Sequence, residues 1–231
     1  MTTARSKSGN PKRDGKAGNL RTEQKAQTRA LILQCALEVF AERGFDGASV
    51  RDIAGFAGVN HGLIRYHFAD KDGLWKAAVE FLFNRLHEEM AAPPEDAKLA
   101  PLEQTKSWIR RYVRYCARHP EHARIMVQES IRDSDRLRWA VKRFIKPDNE
   151  ETRRRFRRLV EEGVYPDIPE HSFNYIITAA AQSMFMLANE MKYIYGLDVA
   201  SDDVVDAHAE AIITLLFDHR ARRAAVRRPK S

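Results

Sequence analysis

Residues 36–77 read ALEVFAERGFDGASVRDIAGFAGVNHGLIRYHFADKDGLWKA, and the spacing of glycines and apolar residues there decides the fold. From just upstream, Ile32, Cys35, Ala36, Val39 and Phe40 form the i, i+3, i+4, i+7 stripe of a helix with one buried face. Gly44 stops that helix, because it can take the left-handed conformation a helix end needs. Ser49 is placed to cap a short helix with Val50, Ile53, Ala54 and Ala57 on its inner side. Gly58 and Val59 make a tight turn, and Asn60 is positioned to cap a third helix carrying Ile64 and Phe68. Asp70 can cap a fourth, longer helix that runs from Leu74 to about Met90, before Pro93 and Pro94 break the chain.

Two short helices joined by a tight turn and docked on a longer first helix describe a helix-turn-helix DNA reader. With Ile64 and Phe68 buried, His61, Gly62, Leu63, Arg65 and Tyr66 lie at the amino end or on the outward face of the second short helix. That end is where base edges and phosphates are reached. Gly62 lets the backbone approach DNA closely, and its N–H can meet a phosphate at the helix start. Arg65 suits either a phosphate or a guanine read bidentately, and Leu63 a thymine methyl. Tyr66 and His67 also admit plain packing roles, and Ser49 is a helix cap in any case. Lys71, in the first turn of the next helix, can meet the same DNA backbone. The candidate contacts on this reading are Arg21, Lys25, Arg29, Arg51, Asn60, His61, Gly62, Leu63, Arg65, Tyr66 and Lys71.

Residues 36–77 resemble the TetR family of bacterial regulators. The resemblance rests on a first-helix Phe, Gly-aromatic, Ser-Val, Ile-Ala, Gly-Val, Gly-x-Ile/Leu, Tyr-His-Phe and Lys-x-x-Leu in succession, and it covers roughly a quarter of the chain. It implies DNA contacts by Ser49, His61, Gly62, Tyr66, His67 and Lys71. It also implies a carboxy-terminal domain that binds a small molecule and thereby changes the separation of two readers. Family members typically have Tyr where this chain has Arg65, a small polar residue at Leu63, and often Lys at His61. These departures leave the fold intact and bear on the target sequence.

Charge is divided unevenly along the 231 residues, whose formal total is +7. Residues 1–29 hold eight basic and two acidic side chains, net +6, and residues 219–231 hold six basic and no acidic ones, also +6. The body between them is therefore at −5. Basic arms beside an acidic globule suit phosphate, so the salt-sensitive part of DNA affinity is expected to lean on Arg21, Lys25 and Arg29. Solvated ends that aid solubility are the plainer reading of the same charge.

The remainder reads as helical, with no confident strand and no internal repeat. Helices are expected at 102–118, 123–131, 137–146, 149–162, 169–195 and 201–218, giving an all-α chain. The expected domains are a disordered basic tail (1–20), a three-helix DNA-binding domain (21–70), a larger helical ligand-binding and dimerisation domain entered by a linking helix (71–218), and a basic C-terminal tail (219–231).

One recognition helix touches few base pairs, so specificity calls for two copies set ~34–36 Å apart on successive major grooves. The candidate homodimer interface is Phe173, Ile176, Ala180, Met184 and Leu187 with Val205, Ile212 and Leu216. Burial of these residues within one monomer is the competing reading. Candidate linings for a small-molecule pocket are Trp108, Tyr112, Met126, Trp139, Phe144, Phe185 and Met186, residue types that also serve as ordinary core. The Arg153–Arg158 cluster could attract an anion or simply form a charged face.

Several classes are set aside. Residues 1–19 contain no Val, Leu, Ile or Phe to build a secretory h-region, and the uncharged stretch 172–189 is too polar for a membrane span. Cys35 and Cys116 lie far apart in apolar segments, which fits a reducing cytoplasm; the family resemblance implies that this is a bacterial cytoplasm, with the protein at the nucleoid when bound. No His-Glu-x-x-His, Gly-x-Ser-x-Gly, Cys-x-x-Cys or phosphate-cradling glycine loop is present, so neither catalysis, a metal nor a cofactor is expected. The expectation is a ligand-responsive repressor acting as a homodimer on a palindromic operator. The alternatives are an effector-independent DNA-organising protein and an all-α protein-interaction module.

Overall fold

A computed structural model describes residues 12–146 and 149–218, and among these there is helix but no strand. Helix α1 (Lys12–Gly47) begins well before residue 20, so the stretch expected as a tail is partly its first turns; residues 1–11 and 219–231 lie outside the described part. Its buried stripe, Ile32 to Ala41, ends where Gly44 adopts φ 70° and ψ 173° and bends the chain. Helices α2 (Val50–Phe56) and α3 (His61–Phe68) follow, each capped as the sequence requires. Ser49 Oγ accepts from the Asp52 amide at 3.0 Å, and Asn60 Oδ1 accepts from the Gly62 amide at 2.7 Å.

Helix α4 (Lys71–Met90) is shared by two cores. Its first half, through Leu74, Trp75, Ala78, Val79 and Leu82, closes a core with α1, α2 and α3. Its end, Leu86 and Met90, packs on a second core built from the helices that follow. The junction from α3 to α4 is tight: a Cβ on Gly73 would sit 2.3 Å from the carbonyl oxygen of Phe68, so only glycine fits there.

The larger body comprises α5 (Pro101–Arg118), α6 (Pro120–Arg132), α7 (Asp135–Ala140, continued by a wider π turn through Ile145) and α8 (Asn149–Glu161). It continues with α9 (Glu170–Met186), α10 (Ala188–Tyr195) and α11 (Asp202–Ile213, continued by a π turn through Asp218). The single helix expected over 169–195 is thus two, parted at Leu187 (φ −100°, ψ 29°) without a proline or glycine to announce it. The second core joins Ile109, Val113 and Cys116 of α5 to Ala181 and Phe185 of α9 and Val205, Ala209 and Ile212 of α11. A third cluster joins Phe156 of α8 to Phe173 and Ile177 of α9.

Helices α6 and α7 grip the first core. Ile125 and Ala140 are buried in it, and Gln128 Nε2 donates to the Ala41 carbonyl at 2.9 Å. Arg132 pairs with Asp46 at 3.1 Å, and the Arg136 guanidinium lies 3.6 Å from the centre of the Phe45 ring.

Candidate nucleic-acid interface

Helix α3 presents two contrasting sides. Ile64 (1% exposed) and Phe68 (6%) anchor it to the core, while His61, Arg65 and Tyr66 (71%) face outward. Gly62 is exposed at the helix start; Leu63 and His67 are half-buried beside it. Asn60 is exposed and committed to its cap, Ser49 is half-buried and committed to its own, and Arg51 is exposed on α2.

The basic residues of α1 come to the same side. Lys25 Nζ lies 3.4 Å from Tyr66 Oη and 5.1 Å from the centre of that ring, and the Arg29 guanidinium lies 5.4 Å from the Phe68 ring. The side chain of Arg21 lies outside the described residues. His67 stacks edge-on against Tyr66, with centroids 5.3 Å apart. Partial burial, then the charges of Lys25 and Arg29, hold its pKa below the ordinary histidine value. A neutral imidazole offers one N–H to a phosphate in place of a full charge.

Lys71 serves the protein as well. Its ammonium donates to the carbonyls of Ala48 at 2.9 Å and Asp46 at 3.4 Å and lies 4.5 Å from the Phe45 ring centre. It ties the start of α4 to the α1–α2 loop, a role that spacing alone did not reveal. The clamp residues Gln128, Arg132 and Arg136 were also missed, since nothing local marks a residue that reaches another element.

The aromatic residues expected to line one pocket are divided between cores. Trp108 and Tyr112 stack at 5.1 Å and line a chamber of about 410 Å³. Tyr112 Oη accepts from Gln182 Nε2 at 2.8 Å, and burial raises its pKa. Met126, Trp139 and Phe144 pack instead against the first core, with Trp139 6.1 Å from Trp75 and Phe144 4.7 Å from Phe83, both on α4. Phe185 is sealed in the second core and Met186 is half-buried beside it.

The expected interface residues divide likewise. Phe173, Val205 and Ile212 are interior residues of the monomer, because the inner faces of α9 and α11 pair with α5 and α8. Ala180, Met184 and Leu216 are half-buried, and Ile176 and Leu187 are exposed. Tyr175, Tyr193 and Ile194, which the sequence reading did not single out for the interface, are also exposed.

A short outward-facing helix on a three-helix scaffold, followed by an all-α body, defines a helix-turn-helix protein. Residues 32–78 match the family described as bacterial regulatory proteins, tetR family. The chain is 47% identical over 60 residues to the HTH-type transcriptional repressor Rv3405c of Mycobacterium tuberculosis, covering 26% of this chain and 32% of that protein. It is 30% identical over 113 residues to the HTH-type transcriptional repressor NicS of Pseudomonas putida, covering 48% and 52%. These matches span only about a third to a half of the length of the curated relatives. Among solved structures, a HlyIIR mutant protein superposes with TM-score 0.61 at 24% identity, over 84% of this chain and 98% of that one, which speaks to the fold. Over residues 32–78 the chain is thus similar to bacterial regulatory proteins of the tetR family.

Among the described residues no helix is long and apolar enough to cross a membrane, and no group of three or more His, Cys, Asp or Glu is arranged to hold a metal.

Proposed function

We propose that this protein is a sequence-specific DNA-binding transcriptional regulator, acting as a repressor and not as an enzyme. The observation that carries the reading is the outward set His61, Arg65 and Tyr66 on a helix locked by Ile64 and Phe68, with Lys25 of α1 beside it. A rigid helix with a free polar face is what a major groove accepts, and a flanking cation supplies phosphate attraction. The names of the two curated relatives agree with repression.

The working unit is a homodimer on a palindromic operator in the bacterial nucleoid, paired through the exposed sides of α9 and α10. Ile176, Leu187, Tyr175, Tyr193 and Ile194 supply an apolar surface there that a single copy leaves uncovered. A small molecule in the larger body would release DNA by favouring a dimer whose readers no longer match the groove spacing, and only to the extent of its differential affinity.

Selection of bound duplexes from a random pool tests this directly. A palindrome or near-palindrome with half-sites ~34–36 Å apart is the expected product. Recovery of unrelated sequences held only by a salt-sensitive attraction would favour a DNA-organising protein, and no binding to any duplex would favour a protein-interaction module.

A further inference from the structure

A second cavity, of about 1140 Å³, opens between the end of α4, the 93–98 connection, α5 and α8. Its lining includes Arg111, Arg154, Arg155 and Arg158, with Asp96 as the single carboxylate among the lining residues. Asp96 is already taken. It accepts from Arg111 Nη1 at 2.5 Å and from Ser107 Oγ at 2.9 Å, and the Arg111 hydrogen bond holds its carboxyl below the usual range. Arg111 and Asp96 therefore cancel, and the three α8 arginines set the charge of the cavity. Glu162 approaches Arg158 only to 3.9 Å.

This cavity adjoins the 410 Å³ aromatic chamber, because Trp108 and Arg155 line both. The chamber wall includes Trp108, Tyr112, Phe156, Tyr165 and Phe173, with Asn174 and Thr178 as polar groups among them. Helix α8 builds both halves from one amphipathic pattern. Phe156 and Leu159 turn into the protein, and Arg154, Arg155 and Arg158 fall within one turn of each other on the outer side. Guanidinium groups at the mouth of an aromatic chamber provide planar forks for an oxyanion next to a place for an apolar body.

We infer that the two cavities form one site for an amphipathic organic anion, with the apolar body in the aromatic chamber and a carboxylate or phosphate held by Arg154, Arg155 and Arg158. As the identity of the effector this rests on the proposed regulatory function; as a binding site it does not.

Calorimetry on the full chain without DNA tests it with decanoate, decyl phosphate and decanamide, all below their aggregation concentrations. Both anions are expected to bind, and decanamide about tenfold or more weakly, the scale of one lost charge-assisted hydrogen bond. The tighter of the two anions then distinguishes a carboxylate from a phosphorylated ligand. The double variant Arg155→Gln/Arg158→Gln changes only exposed side chains; it should lose about tenfold for the anions and nothing for decanamide, with circular dichroism unchanged. Equal affinity for decanoate and decanamide, an unaffected double variant, or no binding of either anion would each overturn the assignment. Anion binding that leaves an operator complex intact would keep the site and remove its regulatory role.

Discussion

Arg85 of α4 donates to Glu121 of α6 at 2.5 Å, joining the helix that leaves the helix-turn-helix domain to the body behind it. Both side chains are largely buried. The pair sits in a polar seam: His119 hydrogen-bonds Glu89 at 2.8 Å, and Tyr115 Oη meets His122 Nδ1 at 2.8 Å. Burial works against the charge on Glu121, but hydrogen bonds from His119, its own backbone and Arg85 outweigh it and hold the pKa below the carboxylate value. Removing one partner leaves the other charge buried. Glu121→Ala is therefore expected to cost about 3–5 kcal/mol of unfolding free energy in urea titrations.

The same seam makes stability fall in acid. Burial holds His122 at about 3, far below its ordinary 6.5, so between those values the unfolded chain binds the extra proton. Its contribution is complete above about pH 6.5 and is lost as pH falls toward about pH 3. From about pH 7 to about pH 5 the expected loss is about 2 kcal/mol, and Glu121 adds a further loss at lower pH. Urea midpoints for the wild type and for His122→Asn check this, and an equally steep slope in the variant would refute the assignment.

Gly73→Ala should destabilise the helix-turn-helix domain, because the added methyl meets the Phe68 carbonyl at 2.3 Å and neither backbone can yield cheaply. About 1–3 kcal/mol is expected, measured by thermal unfolding. Gly55→Ala is the control, since a Cβ there has nothing within 4 Å.

On a selected operator, Arg65→Ala and Lys25→Ala should fail differently. A base-reading Arg65 should cost about 1–3 kcal/mol and relax specificity at one position. Loss of Lys25 should weaken all sequences alike and lower the salt slope by about 1. Fluorescence anisotropy at several salt concentrations separates the two.

Ile176→Glu places a charge on the exposed side of α9 without touching the buried Phe173 and Ile177. Helix content should be unchanged while the sedimentation coefficient falls from dimer to monomer. A variant that remains dimeric would move the interface elsewhere.

The helix-turn-helix segment was legible because its signals are local. A cap such as Ser49 acts within three residues, and Ile64 and Phe68 share a face by being four apart, so sequence alone determined the α2–turn–α3 unit and the side chains it frees. The body was less legible, because an amphipathic stripe says that a face is covered but not by what. Phe173 and Ile176 are both apolar and nearly adjacent in α9, yet one is interior and the other exposed. Trp108 and Trp139 looked equivalent as pocket linings, yet Trp108 packs against the clusters of the larger body and Trp139 against the first core, 6.1 Å from Trp75 of α4. The internal bonds of Lys71 and the arginine-mouthed chamber likewise follow from contacts between residues distant in sequence, which no local pattern encodes.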